Sequence, residues 1–151
     1  MRDDRLYEIS YGYWFNLLNE RAYHHLDVLL NIVQLVGGSA AALAAMQGRP
    51  QLVVAAGLAL ALCAALALLV QPGVKAEQHR ACKAQWATLR GKAGQLSDEA
   101  LTLEVTTIQG SGPTGIGMLM DVAYNATVRA SGNDAAAVKL GGLQRLLSLV
   151  S

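Results

Sequence analysis

From Val28 to Val70 the chain carries one charged residue, Arg49. A water-soluble domain spreads its charge along its length, so a run this long and this neutral is built for two solvents. It splits at Gln47-Gly48-Arg49-Pro50-Gln51, where Gly and Pro stop helices. On its left, residues 26–46 approach the ~20 residues that cross a hydrocarbon core of about 30 Å. On its right, residues 52–70 are almost wholly Leu, Ala and Val. The pattern therefore predicts a transmembrane hairpin with spans 26–46 and 52–70, closed by Gln71-Pro72-Gly73.

Positive charge sets the orientation. Arg2, Arg5, Arg21, Lys75, Arg80, Lys83, Arg90 and Lys92 flank the hairpin, against Arg49 alone in its turn. Basic residues stay on the cytoplasmic side, so both termini are expected in the cytoplasm. No basic start followed at once by an apolar core opens the chain, so a cleaved signal is not expected.

The expected fold is all-α. Residues 1–25 form an N-terminal amphipathic helix, 26–71 the hairpin, 72–131 a cytoplasmic helical region and 132–151 an amphipathic tail. In the first helix Tyr7, Tyr11, Trp14, Leu18 and Ala22 recur at three and four, while Asn16 and Glu20 take other positions. Tyr11, Trp14 and His24 suit a membrane–water boundary, and the same aromatics equally suit a packed helix face. After the hairpin a helix over 74–96 carries Cys82, Trp86, Leu89, Ala93 and Leu96 on one stripe. Ser97-Asp98-Glu99 reads as the cap of a helix running to Gln109, since Ser bonds orphan amides and acids suit the positive end. Gly110 to Pro113 breaks it, and 114–130 is expected helical with Met118, Val122 and Asn125 on one side. In the tail Val138, Leu143, Leu146, Leu147 and Val150 are apolar, a pattern for packing on the body or lying on a membrane surface.

Several function classes are disfavoured. A net charge of +1 without a basic cluster argues against nucleic acid. Cys63 falls in a span and Cys82 in a polar segment, which suggests two reduced thiols. His24-His25 point to different sides of a helix, and His79 with Cys82 offers two ligands at most, so no metal site or cofactor is expected. The glycines from Gly110 to Gly117 lack the Gly-Lys-Ser/Thr ending of a P-loop. With no nucleophile–base arrangement either, an enzyme is not expected.

The chemistry is expected in the spans. His24, Asp27, Asn31, Gln34 and Gly38 follow steps of three and four along the first span, a polar face that should turn away from lipid. It can line a water path between protomers or glue helices together. Gly38 and Ala42, and Gly57, Ala61 and Ala65, are small residues four apart that let helices approach closely. Two helices cannot enclose a water path, so a pore requires a homo-oligomer.

The order of elements resembles the SLATT domains, two-transmembrane effectors of bacterial conflict systems. The resemblance spans residues 4–130 and rests on Tyr11, Arg21, Tyr23, Trp86, Leu96-Ser97-Asp98-Glu99 and Ala123-Tyr124-Asn125. It implies an oligomeric pore that damages the bacterial inner membrane in an anti-phage response, triggered through a separate nucleotide-sensing or signalling protein. The resemblance carries over no catalytic residues. The alternatives are a holin-like phage protein, disfavoured by the mass after the second span, and a membrane anchor for a cytoplasmic partner.

Overall fold

The computed structural model describes residues 2–151, the side chain of Val150 excepted. Every regular element among these residues is helical: α1 (Arg2–Met46), α2 (Pro50–Val70), α3 (Pro72–Lys92), α4 (Asp98–Ser111), α5 (Met120–Ala130) and α6 (Gly142–Val150), with short 3-10 turns at Ala93–Gln95, Gly117–Leu119 and Asp134–Ala136. The chain divides into two compact units. One is the hairpin Tyr23–Val74, and the other, the helical unit, combines Met1–Ala22 with Lys75–Ser151. Two of the helices are long and apolar enough to cross a membrane.

The expected N-terminal helix and first span are one element. Nothing between Arg2 and Met46 breaks α1: it holds no proline, and Asp3 and Asp4 suit its positive end. Arg49 N–H reaches Ala44 O (2.9 Å) and Gly48 N–H reaches Ala45 O (3.1 Å), with Gly48 at φ +67°. That pair of bonds with a left-handed residue is a Schellman stop, and it is why Gly stands there. Pro50, lacking an N–H the helix would not use, opens α2. The turn is therefore Gln47 to Arg49, shorter than the 47–51 expected. The far turn also shrinks, to Gln71 alone, held left-handed at φ 49° before Pro72 starts α3.

In the helical unit the start of α1 is sandwiched. One cluster joins Ile9 to Cys82, Trp86, Leu89 and Ala93 of the α3 segment and to Leu101, Val105 and Ile108 of α4. Another joins Leu18 to Leu119, Val122 and Ala123, with Tyr11, Trp14, Phe15, Ile116, Leu140 and Leu147 packed on it. The predicted stripe thus marks one of two packed faces, and Asn16, assigned to solvent by periodicity, is buried on the other. Gly12 makes that second face possible: a Cβ there would sit 2.5 Å from the Trp86 ring.

Ser97 caps α4 as expected, accepting from Ala100 N–H at 3.3 Å. Three boundaries differ from expectation. Helix α4 runs past Gln109 to Ser111. Residues 112–116 are not helical, because Asn19 Oδ1 takes the Ile116 N–H at 2.6 Å and Gly115 and Gly117 are weak helix formers. As a result Met118 is exposed and Leu119 takes the buried place expected of it. In the tail only α6 is α-helical, with the 3-10 turn Asp134–Ala136 before it. The Asn125 amide donates to Val138 O and accepts from Val138 N–H, both at 2.8 Å, and holds the chain ahead of α6 extended.

Candidate functional site

The hairpin helices meet along a seam of alternating three- and four-residue steps. Between residues 27 and 70 the buried or half-buried positions are Asp27, Leu30, Gln34, Gly37, Ala41 and Ala44 on α1, and Val53, Ala56, Leu60, Cys63, Ala67 and Val70 on α2. This is the spacing by which two helices interlock at a shallow angle. Its tightest point is Gly37, where a Cβ would lie 2.9 Å from Leu60 Cδ2.

The predicted polar face does not coincide with this seam but straddles its edge. Asp27 and Gln34 are half-buried at the seam, while His24, Asn31 and Gly38 stand exposed beside it. Asn31 Nδ2 donates to Asp27 Oδ2 at 3.3 Å, and a Cβ on Gly73 would lie 3.3 Å from Asp27 Oδ1. The carboxylate therefore lies beside the first turn of α3, where backbone N–H groups are unsatisfied within the helix. Gln34 has no hydrogen-bond partner among the described residues. The small residues are outside the seam as well: Ala42, Gly57, Ala61 and Ala65 are exposed, and nothing lies within 4 Å of a Cβ placed on Gly38 or Gly57. The intrachain approach is carried by Gly37 and Ala41, one residue before the predicted pair Gly38 and Ala42.

Tyr11 and Trp14 are half-buried against the α5 cluster, and Tyr11 stacks on Phe15 at 6.0 Å. Burial, with Asp121 nearby, raises the Tyr11 pKa above the usual tyrosine value. His24 is exposed, its ring 6.0 Å from that of His25.

Sequence reasoning missed a buried polar cluster in the helical unit. His79 is fully buried, and its Nδ1 lies 2.8 Å from Asn16 Oδ1, while Asn16 Nδ2 donates back to Gly12 O at 2.8 Å. Asn19, also fully buried, donates to Phe15 O at 2.8 Å. Lys83 pairs with Glu20 beside them. Burial lowers the His79 pKa, reinforced by Lys75 and opposed by the Thr114 backbone and Glu20. Burial also raises the Cys82 thiol, against hydrogen bonds with Trp86 and Asn16. The available signal was spacing: Gly12, Asn16 and Asn19 step by four and three, a second face hidden because its members are not apolar.

Among the described residues no three His, Cys, Asp or Glu side chains gather as a metal site would require. No family model, curated protein or solved structure matches the chain at a significant level.

Proposed function

We propose that the chain is a membrane effector of the SLATT type that assembles from copies of itself and opens a water path through the bacterial inner membrane, with both termini cytoplasmic. Its activity answers a conflict or anti-phage signal delivered by another protein. The hairpin supplies the insertion energy. Leu62 and Leu69 of α2 are 64% and 82% exposed, surface that water disfavours and lipid accepts. The seven Leu and three Val of α2 favour insertion by about 3–6 kcal/mol at mid-helix values.

The single observation that carries the pore reading is the Gln34 amide, unmatched in an otherwise apolar stretch. An amide without partners in hydrocarbon costs several kcal/mol. Water in a pore, or another protomer, removes that cost. Asn31 and Asp27, one turn and two turns earlier, continue the polar path toward the cytoplasmic end.

The test is membrane potential in bacteria after induced expression, at matched membrane levels. Wild type depolarises the cells, and Gln34→Leu and Asn31→Leu reduce the flux without reducing insertion. Equal depolarisation by wild type and both variants sinks the pore reading and points to non-specific damage. Absence of depolarisation, once the partner signal is also supplied, favours an anchor.

A further inference from the structure

Helix α6 is turned the wrong way round for a helix in water. Of its leucines only Leu147 packs on the body, in the cluster of Leu119, Val122 and Ala123. Leu143, Leu146 and Leu149 stand 55%, 59% and 83% exposed. The half-buried places beside Leu147 go instead to Gln144 and Ser148. Single exposed leucines are ordinary. Three in steps of three, along a helix whose Gln and Ser turn inward, are not. The rotation is fixed by α5. Gln144 Nε2 donates to Asp121 Oδ2 at 2.7 Å, and Gln144 Oε1 accepts from Gly141 N–H at 2.8 Å. Asn125, through Val138, sets the approach of the chain to α6. Rolling α6 to bury the three leucines would break the Asp121 bond and withdraw Leu147 from its cluster.

Charge and area narrow what covers the stripe. Residues 135–151 contain Lys139 and Arg145 and no acid. Both bases are exposed, and Arg145 stands one turn before Leu149 on the shoulder of the stripe, its Nε bonded to Leu140 O at 3.1 Å. A leucine stripe with bases at its edge is the pattern of a helix lying in a membrane interface, and the cytoplasmic leaflet carries negative charge. A second protein is the poorer fit. The three leucines expose on the order of 350 Å², less than half of the ~800 Å² that each partner buries in a stable interface. A bilayer is also within the chain's reach, because the helical unit is joined to the hairpin at both Ala22–Tyr23 and Val74–Lys75.

We propose that α6 is a surface anchor: Leu143, Leu146 and Leu149 enter the headgroup–acyl boundary of an anionic bilayer, and Lys139 and Arg145 meet its phosphates. The inference rests on the membrane reading above and adds a contact with the bilayer outside the two spans.

The experiment reads depth in vesicles of equal parts phosphatidylglycerol and phosphatidylcholine, the latter brominated near the headgroup end of its acyl chains. The full chain carries Cys63→Ala, and buried Cys82 provides the unlabelled blank. An environment-sensitive fluorophore is placed singly on Leu146→Cys, Leu149→Cys, Leu62→Cys in α2 and Thr106→Cys in α4. Bromolipid quenches the labels at 146 and 149 and spares the one at 106, and the quenching is unchanged when the protein is diluted in lipid. Adding Arg145→Gln lowers the ratio of docked to free α6 about fivefold, one basic residue's share of attraction to an anionic surface. Labels at 146 and 149 that escape quenching while 62 is quenched overturn the anchor and leave the spans standing. Quenching at 146 and 149 with none at 62 keeps the anchor and removes the membrane-spanning reading. Equal quenching at 106 overturns the proposal, as does a blue shift without quenching that fades on dilution, which assigns the stripe to a second copy. An unchanged ratio in Arg145→Gln overturns the part played by the headgroup charge.

Discussion

The two units solve the same problem, helix against helix, with opposite means. In the helical unit large side chains meet: Trp86, Leu101, Val105 and Ile108 close around Ile9, and the buried amides of Asn16, Asn19 and Asn125 all find partners. In the hairpin the seam is lined mainly by Gly, Ala and Val with a few Leu, and Gln34 is left unmatched. Where water surrounds a fold, apolar area removed from it drives packing, so bulk is useful and an unmatched amide costs stability. On the proposed membrane placement lipid surrounds the hairpin instead, so apolar bulk gains little by leaving the solvent, close approach matters more, and an unmatched amide favours water or another protomer.

The largest effect that sharpens this contrast is a truncation on each side. Trp86 is 3% exposed and forms the floor against which Gly12 rests, so Trp86→Ala should cost the helical unit about 3–5 kcal/mol. Leu69→Ala, on the exposed surface of α2, should stay within about 0.5 kcal/mol in detergent, where micelle replaces lipid. Thermal unfolding by circular dichroism in detergent reads both. A comparable loss from Leu69→Ala would break the contrast, because it would mean that α2 packs by bulk.

A smaller and more selective effect comes from exchanging an amide for an apolar group in each unit. Asn125→Ala strands the N–H and C=O of Val138, and should cost about 1–3 kcal/mol. Hydrogen exchange should then quicken in residues 137–141 and in α6 before the α3–α4 core responds. Gln34→Leu should have the opposite sign for a single hairpin in detergent, since it removes an unmatched amide, while lowering association between copies. If Gln34→Leu destabilises the isolated protomer, its amide has an intrachain role and the contrast is false.

Legibility in the sequence follows the same divide. The two long apolar helices were readable because one pattern, the near-absence of charge, holds over more than forty residues, and even a crude window detects a 43-residue stretch, 28 to 70, with one charge. The Ser97 cap and the Trp86 stripe were readable because each is a local signal of fixed spacing. The seam was not. Gly37 and Gly38 are adjacent and both small, and which of them meets α2 depends on where Leu60 arrives, a property of the register and not of either helix alone. The Asn16–His79 pairing was hidden for a related reason: residues 63 apart in sequence supply each other's hydrogen bonds, so each looks like a surface residue until its partner is in view. The extended chain at 112–116 has the same origin, since the Asn19 side chain sets it from 97 residues away.

The smallest of the three effects is one that only the helical unit should show. His79 is held neutral by burial, with its pKa below the ordinary 6.5 and with the Lys75 charge adding to that depression. An unfolded chain gives His79 its ordinary pKa, so below pH 6.5 the unfolded state binds the proton that the folded state resists. Stability from this group is therefore intact above pH 6.5 and declines as pH falls from there towards the folded value. The decline has a ceiling of about 1.4 kcal/mol per pH unit for one proton. Thermal unfolding of wild type and His79→Gln between pH 7.5 and 5 isolates it: the variant's curve should be the flatter over that window. Other titrating groups contribute equally to both proteins and cancel in the difference.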